Sequence, residues 1–477
     1  MVTVLHDDVA YLSATELLRR FTALELSPVE LLDALIDRIE ALEPRINAVC
    51  DRRYSEARAE AAHSAERYLG KHGGPRPLEG LPVAAKEEHP MKGRSWTQGS
   101  LTLQGEVADR DHPIIERIQA AGGIIHVRVT TPEFCCAAFC HSKMWGTTRN
   151  PWNTDFAPGG SSGGTGAALA AGYAPLGTGS DIGGSIRIPS SLSGVVGFKP
   201  PFGRVPALAP YNLDQFCHDG PMARSVADVA LLENVIAGSH RLDVVSIRNP
   251  PQIPASPEGV EGLKIALCLG IGDWPLEPEV EANTRRVGAS LAAAGAVVDE
   301  VTLPWTRDDI FTAAQAHFAA IMGAGIATVA AEFGDLLNDY TRAFAASMTS
   351  DISYYEGLEL EGRLYEPLGE LFETYDALVC PTMATDGLVA DNPYIDGPFL
   401  VNGVDVQHHI LMCMTLPFNL LSRCPVVAVP SGRSDNGVPT GVQVVGRTYD
   451  DVTAFRVATA VESTGVGFHQ PSWRPSL

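Results

Sequence analysis

The stretch from Ala157 to Pro200 restricts the fold of this chain more than any other, because glycine, serine and alanine crowd it. Glycine is concentrated in two clusters, residues 159–164 (GGSSGG) and residues 181–185 (DIGGS). Each interior glycine costs a fold roughly 0.5–1 kcal/mol relative to alanine, so two clusters this close indicate unusual backbone angles or close approaches. Amides exposed in such turns can bind an anion, and an adjacent serine adds a nucleophile.

A flexible Gly/Ser linker is the simplest alternative for this stretch. Its flanks do not fit that alternative. Residues 167–171 (AALAA) predict a small-residue helix able to pack tightly, and the apolar residues 195–198 (VVGF) follow the second cluster. We therefore expect an ordered, buried segment.

The two clusters resemble those of the amidase signature family, serine hydrolases that cleave amides with a Ser-Ser-Lys triad. The interval from Ser161 to Ser185 matches the family's spacing, and residues 80–86 (GLPVAAK) resemble its lysine motif. The resemblance extends from about Leu17 to the C-terminal helix. Further similar segments are Asn150–Asn153, Gly220–Ser225, Cys380–Thr382 and Gly441–Gly446.

The resemblance implies a role for each motif residue. Lys86 would accept a proton from Ser161, which would accept one from Ser185 as Ser185 attacks the carbonyl carbon. The oxyanion hole would consist of the amides of Ile182, Gly183, Gly184 and Ser185. Lysine is a base only when it is neutral, and burial beside the apolar residues 82–85 is expected to lower its pKa.

Charged residues flank both ends of this triad. Glu87 and Glu88 follow Lys86, and either could pair with it and keep it charged; Glu88-His89 also departs from the family's usual Asn-Ile. Asp181 and Arg187 flank Ser185 and are predicted to form a structural ion pair. Removing one partner of a buried pair costs about 3–5 kcal/mol.

The substrate walls are predicted from four segments, residues 135–140, 211–217, 311–322 and 408–418, with Cys135, Cys136 and Phe216 as candidate substrate-binding residues. These segments hold many apolar side chains and few cations. We therefore predict a small-molecule substrate, a neutral, hydrophobic amide, with carbamates and esters as further candidates.

Two other functions fit parts of the sequence. Residues 159–163 match Gly-x-Ser-x-Gly, the nucleophile elbow of α/β-hydrolases, with Ser161 or Ser162 as nucleophile, but that motif requires a strand where residues 150–158 predict a loop. The chain could also be the amidase subunit of a glutamine amidotransferase complex. Ile188 and residues 206–208 depart from the pattern of that subunit and favour a free-standing hydrolase.

The length of 477 residues, with 45% hydrophobic and 19% charged residues, is enough for an extensive core. Short apolar strands alternate with helices, so the sequence predicts one α/β domain, residues 1–477, with a twisted mixed sheet covered by helices on both faces. Within it we expect an N-terminal helical segment (1–75), a signature core (76–240), and the remaining sheet, substrate loops and C-terminal helix (241–477). Residues 13–16 and 27–30 each predict a capping box at a helix start.

Composition limits partners and location. The net charge of −22 argues against nucleic acid and anionic membranes, and nine scattered cysteines favour reduced thiols in the cytoplasm. Residues 1–18 lack a long apolar core, so neither a signal peptide nor a membrane span is expected. The group Cys135, Cys136, Cys140 and His141 lacks a second pair of zinc ligands, and we expect no metal and no cofactor. A homodimer is a candidate assembly.

Overall fold

One large mixed sheet of eleven strands organises the chain. The computed structural model describes residues 9–477, except for the side chain of Thr464. The predicted α/β domain is confirmed, and strands from the C-terminal half complete the sheet, as the sequence indicated.

The strands of the described chain are β1 Val49–Arg52, β2 Pro82–Lys86, β3 Ile124–Val129, β4 His141–Ser142, β5 Gly146–Thr147, β6 Leu176–Asp181, β7 Val196–Lys199, β8 His218–Ala223, β9 Lys264–Leu267, β10 Val297–Glu300, β11 Ala377–Pro381, β12 Leu400–Val401, β13 Val404–Asp405, β14 Val426–Arg433 and β15 Pro439–Gly446. The large sheet has the order β1-β3-β2-β6-β8-β7-β14-β15-β11-β9-β10, so β14 and β15 lie near its centre. The pairs β4–β5 and β12–β13 are small separate hairpins.

The α-helices of the same residues are α1 Ala14–Thr22, α2 Pro28–Ile46, α3 Tyr54–Tyr68, α4 Pro113–Ala120, α5 Gly163–Ala170, α6 Arg187–Ser193, α7 Val226–Ile236, α8 Pro278–Ala293, α9 Arg307–Ala320, α10 Met322–Phe333, α11 Asp339–Ser347, α12 Tyr354–Thr374, α13 Pro417–Leu420 and α14 Asp451–Thr464. Short 3₁₀ turns lie at residues 101–103, 133–135, 211–213, 334–336 and 409–412.

Strand direction changes along the sheet. β2 runs parallel to β3 and β6, and β9 runs parallel to β10 and β11, while the other neighbouring pairs are antiparallel. The β9-α8-β10 segment is a β-α-β unit with parallel strands. Because β2, β6 and β8 are adjacent, the strand that carries Lys86 lies beside the strand that leads to residues 181–185.

Both faces of the sheet are covered, as predicted. Successive strand residues point to opposite faces. In β11, Leu378 and Cys380 belong to a buried cluster that includes residues of α9 and α12, whereas Ala377 and Val379 belong to a second cluster that includes residues of α7 and α14.

The two predicted capping boxes differ in the structure. At α2 both reciprocal bonds form between Ser27 and Glu30, with Pro28 at the first helical position. At α1 Ser13 accepts from the Glu16 amide, but the Glu16 carboxylate binds Arg19 and Arg20 instead of the cap backbone. The prediction at α1 is therefore correct for the serine half only, because two nearby guanidinium groups compete for the carboxylate.

Between residues 9 and 477 no single helix is long and apolar enough to cross a membrane. The bent pair Arg307–Ala320 and Met322–Leu336, which meets at 51°, reaches the required length and composition only when its two parts are joined.

Candidate active site

Lys86 ends a strand that is buried along its whole length. All five residues of β2 are buried, and the exposed fraction of Lys86 is 0%. Its backbone amide donates to the Thr178 hydroxyl of β6 at 3.0 Å. The apolar residues before Lys86 form the interior strand, so its side chain extends into the protein rather than into water.

The first glycine cluster brings Ser161 to this lysine. Gly159 has φ +88°, and a Cβ on Gly160 would collide with the carbonyl oxygen of Phe139, so side chains are excluded where the chain turns. The result is a hydrogen bond from Lys86 Nζ to Ser161 Oγ of 2.8 Å. The first cluster is thus an ordered turn, and α5, whose residues are all buried, follows it.

No strand of the described chain lies between Thr147 and Ser162. The nucleophile-elbow alternative requires one directly before the serine. Ser162 Oγ is also occupied, because it accepts from the Ser180 amide at 3.3 Å. The geometry therefore disfavours Ser161 or Ser162 as an elbow nucleophile.

The second glycine cluster turns around the Asp181 carboxylate. Asp181 accepts from the Gly184 amide at 2.8 Å, the Ile186 amide at 3.2 Å, and the Arg187 guanidinium through two bonds of 2.9 Å. Gly184 has φ +122°, and a Cβ there would collide with the Thr415 hydroxyl. This turn is therefore fixed by its own ion pair and by a glycine that no other residue can replace without strain.

Residues from the C-terminal half hold the same ion pair. Arg187 donates to the Asn419 side chain at 2.6 Å and to the Gln443 side chain at 2.7 Å, and Asn419 donates back to Asp181 at 2.8 Å. Every charge of the pair has a polar partner, which is the condition under which a buried pair is tolerated.

Three of the four predicted oxyanion-hole amides have no hydrogen-bond partner among the described residues: those of Ile182, Gly183 and Ser185. The amide of Gly184 donates to Asp181, so including Gly184 was wrong. A bond of 3.1 Å from the Ser162 amide to the Ser185 carbonyl joins the two turns. The structure thus places a serine and three free donors beside the Lys86–Ser161 pair.

Lys86 also contacts an acid that the sequence left open. Its Nζ lies 2.8 Å from Glu88 Oε2 and 2.7 Å from Ser180 Oγ. Glu87 instead accepts from the backbone of Thr97 at 2.6 Å. The chain turns directly after Lys86, where the His89 amide donates to the Lys86 carbonyl at 3.1 Å, and this turn brings Glu88 rather than Glu87 to the lysine.

This contact reverses the expected shift in the pKa of Lys86. Burial lowers that pKa, but the Cys135 sulfur and the Glu88 carboxylate outweigh burial and raise it above its ordinary value. Burial raises the pKa of the Cys135 thiol to about 12, so Glu88 is the anion present at neutral pH. Although burial disfavours its charge, the Lys86 ammonium lowers the pKa of Glu88 to about 2. Burial therefore lowers the pKa of Lys86 as expected, but Glu88, one of the two acids left open by the sequence, outweighs that effect.

Two adjoining cavities open at this site. The first encloses about 970 Å³, part of it open to solvent, and Glu88, Ser161, Ser180 and Asp219 line it. The second encloses about 580 Å³, and Ser185 and Gly183 line it. The two share three lining residues, Cys135, Ile182 and Met322. A molecule at Ile182 can therefore extend into both.

The walls come from the predicted segments, although not from every predicted residue. Cys135 lines both cavities and Cys136 lines the second. Phe216 is fully buried, stacks on His317 with ring centroids 3.6 Å apart, and lines neither cavity, so its position does not support substrate contact. The remaining apolar side chains of the second cavity include Phe311, Phe318, Phe344, Met348 and Leu416.

The first cavity also holds a polar cluster that the sequence did not predict. The Asp219 carboxylate oxygens lie 3.0 Å from His89 Nε2 and 3.4 Å from His112 Nε2. The atoms of these three residues that could bind a metal ion all lie within 4.8 Å of one another. His112 Nδ1 accepts from the Ile114 amide, so the proton of the neutral ring sits on Nε2. That nitrogen offers no lone pair to a cation, and the cluster does not fit a metal site.

A buried lysine bonded to a serine, beside a turn of free amides, is the arrangement that acyl transfer by a serine nucleophile requires. A model of the family Amidase matches residues 30–455, so the chain belongs to the amidase family, as the motifs predicted, and is a hydrolase of amide C–N bonds.

Its relatives differ in activity. A glutamyl-tRNA(Gln) amidotransferase subunit of Symbiobacterium thermophilum is 32% identical, over 94% of this chain and 96% of its own. An acylamidase of Rhodococcus erythropolis is 30% identical over 95% of each chain. The crystal structure of a bacterial aryl acylamidase of the amidase signature family superposes with a TM-score of 0.87 at 28% identity, over 95% of this chain and 96% of its own.

Proposed function

We propose that this chain is a free-standing hydrolase that cleaves hydrophobic amides through Lys86, Ser161 and Ser185. The observation that carries this proposal is the 2.8 Å contact between Lys86 Nζ and Ser161 Oγ, in a buried site beside three free amides. The 0% exposure of Lys86 excludes solvent as its ordinary partner.

In the proposed reaction Ser185 Oγ attacks the carbonyl carbon and its proton passes to Ser161, whose own proton passes to neutral Lys86. The oxyanion is stabilised by the amides of Ile182, Gly183 and Ser185. The C–N bond then breaks, and the proton returns from Lys86 through Ser161 to the leaving nitrogen. Water hydrolyses the acyl-enzyme by the same relay, so no proton is gained or lost.

The cavity walls support a substrate without a negative charge. Among residues 9–477 no lysine or arginine lines either cavity, so a substrate carboxylate would have no cationic partner from these residues. Three phenylalanines and two methionines are among the residues that line the second cavity, and methionine adapts to varied apolar shapes. Hydrophobic amides fit these walls, and carbamates and esters with the same substituents are further candidates.

An amidotransferase subunit is the second candidate, because relatives with that activity are as similar as the acylamidase. Glutamine carries a carboxylate, which the lining described above disfavours. We also propose a cytoplasmic location, since all nine cysteines are free thiols.

Labelling with a phosphonyl fluoride tests the nucleophile. Wild-type protein is expected to become labelled at Ser185, and Ser185→Ala is expected to lose labelling and amide turnover while keeping its fold. Ser190→Ala is a matched control, because Ser190 is a buried serine of α6 whose hydroxyl donates to the Ile186 carbonyl and has no other hydrogen bond within residues 9–477. Label found on Ser161 or Ser162 instead would refute the assignment.

A comparison of kcat/KM for a neutral anilide and for glutamine tests the substrate class. We expect the anilide to be the better substrate by at least tenfold, roughly the effect of leaving one carboxylate without a partner. A glutamine value equal to or above that of the anilide would favour the amidotransferase alternative.

A further inference from the structure

We propose that Asp219 forms an anionic subsite in the first cavity that binds an ammonium group of the substrate. This inference rests on the proposed function and narrows it to hydrophobic amides that carry an amino group away from the scissile bond.

Sheet register places Asp219 next to the proposed proton relay. Asp219 of β8 pairs directly with Ser180 of β6 in an antiparallel ladder, so both side chains lie on the same face of the sheet. Ser180 Oγ is 2.7 Å from Lys86 Nζ. Asp219 and Ser180 line the same cavity as Ser161.

Two imidazoles fix the Asp219 carboxylate as an acceptor. His112 donates through Nε2, because its Nδ1 accepts the Ile114 amide and burial lowers its pKa to about 3. His89 Nε2 lies 3.0 Å from Asp219 and donates to it, because an ionised carboxylate can only accept, and His89 Nδ1 lies 2.9 Å from the Thr178 hydroxyl. Both rings therefore orient the carboxylate.

Asp219 is the acid of this cavity that lacks a permanent cation. Of the three acids that line it, Glu88 pairs with Lys86 and Asp181 pairs with Arg187. Asp219 has no lysine or arginine within 4 Å among residues 9–477, and only 10% of its side chain is exposed. The two imidazole donors leave the carboxylate with unused acceptor sites, and an ammonium group would fill these sites and supply a compensating charge.

The rest of the two cavities fits the apolar part of such a substrate. Pro210 and Met322 line the first cavity, and the second is almost wholly apolar. A substrate with its carbonyl at Ile182 could place a hydrocarbon part in the second cavity and its amino group at Asp219.

Two matched substrate pairs test the subsite, one for each side of the amide. On the acyl side, 5-aminopentananilide is compared with hexananilide, in which a methyl replaces the ammonium. On the amine side, N-(5-aminopentyl)hexanamide is compared with N-hexylhexanamide. For one of the pairs we expect wild type to favour the ammonium member in kcat/KM by roughly 10- to 100-fold, the range of a charge-assisted bond.

Asp219→Asn keeps the shape and one acceptor oxygen but removes the charge, and it is expected to abolish that preference. Pentylamine should inhibit wild type competitively at lower concentration than pentanol, and the two should become equal in the variant. If wild type hydrolyses the ammonium and neutral members of both pairs with equal kcat/KM, the ammonium subsite is refuted and the proposed function stays intact. An equal loss for both members of each pair would overturn it too and assign Asp219 a structural role, whereas no turnover of any amide refutes both proposals.

Discussion

Replacing Glu88 by glutamine is expected to move the pH dependence of catalysis to lower pH. Lys86 must be neutral to accept the proton of Ser161, and Glu88 holds the proton on Lys86 from 2.8 Å away. Glutamine keeps the size and an oxygen for the ammonium but removes the negative charge. The neutral fraction of Lys86 at a given pH should therefore rise.

The size of the shift follows from the geometry. Two opposite charges 4 Å apart interact by about 4 kcal/mol at an effective dielectric constant of 20, which corresponds to about 3 pKa units. An opposite charge at such range shifts a pKa by about 1–3 units. Because Lys86 is fully buried and Glu88 is 24% exposed, we expect a fall in the pKa of Lys86 within this range.

The assay is the pH profile of kcat/KM on a neutral anilide between pH 6 and 10. The raised pKa of Lys86 predicts that the wild-type value climbs with pH and reaches no plateau. Glu88→Gln should reach any given kcat/KM at a pH about 1–3 units lower than wild type does, and should be more active than wild type at the acid end.

Glu88→Asp is the matched control, because it keeps a carboxylate and should keep the wild-type profile. An unchanged profile in Glu88→Gln, with turnover retained, would refute the view that Glu88 sets the protonation of Lys86. A decrease in kcat/KM by the same factor at every pH would show that Glu88 positions Lys86 rather than setting its protonation state.

Three further experiments test the turn and the absence of a metal requirement. Gly184→Ala should lose most of its kcat/KM and have a lower melting temperature than wild type, because the added Cβ would collide with Thr415. Gly183→Ala is the control and should fold normally, because a Cβ there would lie 3.8 Å or more from its nearest neighbours. Equal melting temperatures for the two variants would contradict this reasoning. Asp181→Ala should lower the free energy of unfolding by about 3–5 kcal/mol, measured in urea, since it leaves Arg187 buried without its anion. Dialysis against EDTA should leave full activity, and loss restored by zinc would contradict the metal-free relay.

The fold could be predicted well because local patterns and long-range motifs agreed. The apolar residues before Lys86 predicted a buried strand, and the two glycine clusters predicted turns. Residues from these three segments lie together, with Lys86 and Ser161 in direct contact. The triad roles and the homodimer stay predictions.

The protonation of the site and its polar wall could not be predicted from sequence. Glu87 and Glu88 are the same residue type in adjacent positions, and only the turn after Lys86 decides which of them reaches the lysine. The Gly184 amide was predicted to be free because the sequence does not show that the Asp181 side chain accepts a hydrogen bond from it. The cluster of His89, His112 and Asp219 comes from three segments with no shared motif, so only the sheet brings it together.

The hydrogen bonds that Arg187 makes with the C-terminal half have a consequence for synthesis of the chain. Its partners Asn419 and Gln443 lie 232 and 256 residues later, so the turn that holds Ser185 lacks these partners until almost the whole polypeptide has left the ribosome. At about 5–20 residues per second this is a delay of more than ten seconds after the serine is made. A truncated product that ends before β15 would contain every residue of the relay yet lack Gln443, one of the acceptors of Arg187. Incomplete chains should therefore be inert rather than uncontrolled hydrolases.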